Sequence, residues 1–131
     1  MQFQILIAVA LGGALGALGR YAMVSQVSHA FGPWLGGFPL GTLGVNVLGS
    51  FAMGLLVEVF ALAWSPPEAL RALLTVGLLG AFTTFSTFSM EAVLLYERGA
   101  LMQAAGYIAA SVVLSIAGFV AGLALIRAIF A

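Results

Sequence analysis

The sequence predicts an all-α integral membrane protein with four transmembrane helices, the third of them broken near its middle. Composition is the first sign: of 131 residues 63% are hydrophobic and only 6% are charged, against roughly a quarter charged in soluble domains. The second is that the chain divides into four apolar stretches, each near or above the roughly 20 residues that a helix needs to cross hydrocarbon. The third is the segment GLLGAFTTFSTFSMEA (77–92), where two glycines and a cluster of hydroxyls interrupt the third stretch.

The four stretches run over residues 3–30, 40–64, 70–96 and 101–130, and they form a single domain. Between them lie FGPWLGGFP, SPPE and ERG, whose prolines and glycines interrupt helices. Short connections make neighbouring helices antiparallel. Trp34 and Trp64 flank the first two connections, where aromatic side chains favour the membrane interface. The N-terminus has no basic region of the signal-peptide kind, and its apolar run exceeds the usual 7–15 residues of such a signal. It reads as a retained first span.

Charge and residue usage exclude several classes of function. Net charge is zero, which gives no pull toward nucleic acid. Cysteine is absent and His29 is the only histidine, so thiolate chemistry is excluded and a histidine metal cluster would have to draw on several subunits. No nucleophile with a neighbouring base and no phosphate loop is found, and the chain does not read as an enzyme.

In lipid a polar side chain is costly unless it faces protein or water, so the pattern of such residues is informative. Thr42, Asn46, Ser50, Gly54 and Glu58 recur every four residues along one face of the second span. Tyr107, Ser111 and Ser115 do the same in the fourth. A lone Ser or Thr usually bonds back to its own helix; two aligned stripes point instead to a shared polar interior. In the third span Phe85 and Phe88 share a face, and Thr84 with Thr87 forms a second pair beside them. A broken helix is tolerated in a membrane where the freed backbone is buried in protein or lines a cavity. Arg20 lies within the first span, and reads either as a snorkelling side chain or as the lining of a vestibule that attracts anions.

Four spans in 13.5 kDa make a filled bundle, so a conduction path calls for at least two copies. Gly12 with Gly16, and Gly118 with Gly122, have the small-xxx-small spacing that lets helices approach closely. Orientation is left open by the charges. Arg71 and Arg127 lie toward one side, Arg98 toward the other, and Arg20 is within the membrane. So even a count fits either one orientation imposed from outside or insertion both ways with antiparallel pairing.

Three segments, GALGRY (16–21), GTLGVNVLGS (41–50) and GLLGAFTTFSTFSMEA, resemble those of the Fluc (CrcB) family of fluoride channels, and the resemblance covers the whole chain. It implies passive export of fluoride that relieves cytoplasmic toxicity, by a multi-pass protein of the bacterial or archaeal plasma (inner) membrane. It implies an antiparallel, dual-topology homodimer in membrane lipid, with two pores and a structural sodium ion at its centre. By the same resemblance Phe85, Phe88, Asn46, Ser111, Ser115, Tyr107, Thr84 and Thr87 line the fluoride path, and Arg20 lies in the vestibule. Gly80 and Thr83 would hold the sodium by backbone carbonyls. Phe82 departs from the family pattern, in which this position is small or aliphatic. The rival reading is a small multidrug-type, proton-coupled transporter, which in that family carries a carboxylate in the first helix; none is found here.

Overall fold

The computed structural model describes residues 2–131, all helical apart from short connections. Among the described residues, four helices are long and apolar enough to cross a membrane: Gln2–Leu35, Leu40–Leu62, Glu68–Glu97 and Leu101–Phe130. The first two are α1 and α2. The third comprises α3 (Glu68–Ala72), a π-helical segment (Leu73–Leu79), α4 (Gly80–Phe82) and α5 (Phe85–Glu97), and the fourth is α6. The third span is therefore interrupted at Thr83 and Thr84, both extended. The interruption falls where the glycine and threonine cluster predicts it.

Two boundaries differ from the sequence-based expectation. α1 continues through Pro33 to Leu35, because a proline in the last turn removes one ladder bond and leaves little helix beyond it to disrupt. The stop is made by Gly36 and Gly37, whose φ of 59° and 88° suits residues without a Cβ. α2 ends at Leu62; the N–H groups of Ala63 and Trp64 both donate to the Val59 carbonyl, and Pro66 and Pro67 then prevent continuation.

Helix packing depends on glycines. A Cβ on Gly54 of α2 would collide with the Phe119 carbonyl of α6, and one on Gly122 of α6 with the Phe51 carbonyl of α2. The two backbones thus approach closely, as the glycine spacing in the fourth span foretells. Gly12 and Gly16 of α1 press in the same way on the Leu73 and Leu78 carbonyls of the π-helical segment. Phe82 is accommodated by glycines on both sides: its ring lies 3.6 Å from where Gly19 would carry a Cβ and 3.2 Å from the same point on Gly49. A small core of Leu43, Phe88, Ala92, Leu95, Ala104 and Tyr107 joins α2, α5 and α6. Outward-facing residues such as Phe3, Leu11, Val113 and Ile129 are exposed, as a lipid-facing surface requires.

Candidate functional site

The site is built on the interruption of the third span. In an unbroken helix the Thr84 N–H would donate to the Gly80 carbonyl, and the Thr87 N–H to that of Thr83. Here the Thr84 N–H donates instead to Asn46 Oδ1 at 2.7 Å. The Thr87 N–H donates to Thr84 Oγ1 at 3.1 Å, so that Thr84 caps α5. Both carbonyls, Gly80 and Thr83, are thereby released from the ladder. Asn46 Nδ2 also donates to the Thr84 carbonyl at 3.0 Å, and Arg20 Nε donates to the Ala81 carbonyl at 3.1 Å. Side chains of α1 and α2 thus hold the interrupted backbone from two directions.

A cavity of about 330 Å³ opens on one side of the interruption. Asn46 and Ser50 of α2 line it, with Thr83, Thr84, Phe85 and Phe88 of the third span and Ser111, Val112, Ser115 and Ile116 of α6. The middle of the second-span stripe, Asn46 and Ser50, thus meets Ser111 and Ser115 of the fourth beside the Phe pair. The Phe85 and Phe88 ring centroids are 5.5 Å apart, and Phe88 continues to Tyr107 at 5.2 Å. Phe85 is 78% exposed in the single chain whereas Phe88 is buried. Ser111 Oγ is buried and has no protein partner. A hydroxyl donates one hydrogen bond, and aromatic ring edges carry partial positive charge. Such a lining can offer hydrogen-bond donors to a small ion.

A second cavity, about 390 Å³, lies on the other side, lined by Ala17, Arg20, Tyr21, Val24, Ser25, Thr42, Thr84 and Thr87. Thr84 is common to both. Thr87 lines only this Arg20 cavity, because α5 turns its side chain away from the Phe pair. Thr42 Oγ1 is buried and has no protein partner.

Tyr107 does not line either of these cavities. It is fully buried behind Phe88, with the edge-on ring of Phe38 5.6 Å away, and its hydroxyl donates to Glu91 Oε1 at 3.2 Å. Glu58, the last polar residue of the second-span stripe, pairs with Arg127 at 3.1 Å. Val112, Ile116, Tyr21 and Ser25 were not singled out in the sequence. The first two follow Ser111 and Ser115 by one residue, and Ser25 lies one turn beyond Tyr21 on α1. Those spacings were the available signals.

Together these features define a multi-pass membrane protein whose interrupted helix is held by side chains between two largely apolar cavities, each with a few hydroxyl-bearing or charged side chains in its lining. A family model described as "CrcB-like protein, Camphor Resistance (CrcB)" matches residues 7–123, and the chain belongs to that family. It is 53% identical over 125 residues to the fluoride-specific ion channel FluC of Rhodospirillum centenum, covering 95% of this chain and 96% of that protein. The proteins of the same name from Nitrobacter winogradskyi and Agrobacterium fabrum are 47% and 51% identical, over 98% and 93% of this chain and 100% and 95% of theirs.

Proposed function

We propose that this protein is a fluoride-selective channel of the bacterial inner membrane, through which fluoride leaves the cytoplasm passively down its gradient. The observation that carries this reading is the cavity where Asn46, Ser111 and Ser115 meet the Phe85–Phe88 pair, in a chain about half identical to fluoride-specific channels along nearly its whole length. Fluoride is small and tightly hydrated, so a selective path must replace part of its water shell while still letting it go. Hydroxyls and the remaining Asn46 amide hydrogen supply hydrogen bonds, and ring edges supply weaker attraction. Arg20 adds positive charge to the neighbouring cavity, which raises the local anion concentration.

The working unit is an antiparallel homodimer with two pores. The released carbonyls of Gly80 and Thr83 are hard oxygen donors of the kind an alkali cation takes, and two from each chain would hold a structural sodium ion. When bound, the ion supplies a positive centre that joins the two chains. Glu58 is tied to Arg127 and Glu91 to Tyr107, and no carboxylate lies in α1, so the multidrug-type reading lacks its coupling group.

Halide efflux from liposomes reconstituted with the purified protein tests the proposal. Fluoride should leave rapidly and chloride should stay; equal chloride permeation, or no fluoride flux, overturns it.

A further inference from the structure

We infer that Asn46, beside lining the anion cavity, is the positioning residue that keeps the Gly80 carbonyl available to the cation. This inference rests on the sodium reading above. A single carboxamide holds both backbone groups of Thr84, accepting from its N–H at 2.7 Å and donating to its carbonyl at 3.0 Å. Within a membrane a backbone N–H must find a partner. If Asn46 is removed, the nearest acceptor for the Thr84 N–H in helical geometry is the Gly80 carbonyl, four residues earlier. The ladder then closes over the oxygen that the cation would take.

A second contact on α2 fits the same role. Gly49 lies one turn beyond Asn46, and a Cβ there would strike the Thr83 methyl group. α2 therefore offers a seat for the extended pair, with the carboxamide gripping Thr84 and the bare glycine leaving room for Thr83. Asn46 also keeps one amide hydrogen for the cavity it lines. Only a carboxamide has both an acceptor and a donor for Thr84. A serine is too short, and a carboxylate can take only the N–H.

The test follows sodium binding through protein stability, independently of ion flux. Purified full-length protein is melted across a sodium chloride titration, with choline chloride at matched ionic strength as the reference. The wild type should be stabilised by sodium. Asn46→Leu should need on the order of tenfold more sodium for the same stabilisation, the equivalent of about one net hydrogen bond. Ser111→Ala, which lines the same cavity without touching the interruption, should titrate like the wild type.

Asn46→Asp keeps the acceptor for the Thr84 N–H but turns an oxygen toward the Thr84 carbonyl, and so should keep a sodium response, weaker than that of the wild type, even if Asn46→Leu fails to assemble. A wild-type titration from Asn46→Leu, or loss of the response in Asn46→Asp, overturns the inference while leaving the sodium reading intact. A wild-type protein indifferent to sodium overturns the sodium reading itself, and the inference with it.

Discussion

Thr84 takes part in the interruption through three groups: its N–H and carbonyl go to Asn46, and its hydroxyl caps α5. Loss of an N-cap hydroxyl costs about 1 kcal/mol, so Thr84→Ala should lower stability by about that amount. Thr87 contributes only its N–H to the cap, and Thr87→Val should leave stability within about 0.5 kcal/mol of the wild type. Thermal unfolding of the two variants in detergent separates them, and equal losses would remove the capping role. At the anion cavity, Phe85→Ile and Phe88→Ile each replace a ring edge by an aliphatic group. Either change removes the Phe85–Phe88 ring contact, and an aromatic pair is worth roughly 0.5–1.5 kcal/mol, so fluoride efflux should fall by up to about tenfold while the size-exclusion profile stays that of the wild type. Unchanged flux in both variants would move the path elsewhere. The rings, the hydroxyl stripes and Asn46 were legible as residues, because few polar groups occur in an apolar chain and each needs a reason. The use made of Asn46 was not legible: its partner is backbone 38 positions away, and no side-chain pattern records a backbone partner.

At the scale of elements, the third span combines a π-helical segment, a one-turn α4 and the extended pair before α5 begins. The interruption was readable from its glycines and hydroxyls. The π-helical segment was not, since the apolar residues from Leu73 to Leu79 fit an ordinary helix equally well and the wider turn accompanies a tertiary contact. There the Leu73 and Leu78 carbonyls come against Gly12 and Gly16 of α1, and Gly77 comes against the Val9 carbonyl. Glycine spacing marked these positions as close contacts, but spacing alone does not distinguish contact glycines from idle ones. Gly54→Ala or Gly122→Ala should cost about 1–3 kcal/mol, because the added methyl meets the backbone of the facing helix, which cannot swing aside. Gly13→Ala and Gly106→Ala place their methyl in open space and should be neutral or stabilising by up to about 1 kcal/mol through helix propensity. Melting temperatures of the four proteins check the contrast, and similar values throughout would mean that the α2–α6 backbone contact carries no stability.

For the whole molecule, orientation is the property that charge leaves most evenly balanced, and the arginines are engaged within the fold. Arg127 is bound to Glu58, Arg71 lies over the Phe60 ring at 5.2 Å, and Arg20 is committed to the Ala81 carbonyl inside the membrane. Arg98 packs against Gly37 at the end of α1. With no lysine in the chain, orientation rests on the Lys and Arg count in short loops near the ends of spans, and that count is nearly equal on the two sides. Such a count is compatible with insertion in both orientations, which would supply equal amounts of the two forms that the proposed antiparallel pair requires. Because cysteine is absent, a single cysteine replacing Ala131 reports orientation without interference. A membrane-impermeant maleimide should label about half of that cysteine from outside intact cells, and the remainder after permeabilisation. A few lysines added to the connection between α2 and α3 should retain that loop in the cytoplasm and make the labelling one-sided. The biased protein should then lose fluoride efflux when expressed alone, and regain it when expressed with a copy biased the other way. One-sided labelling of the unbiased protein, or full activity from a single biased form, would rule out the antiparallel pair.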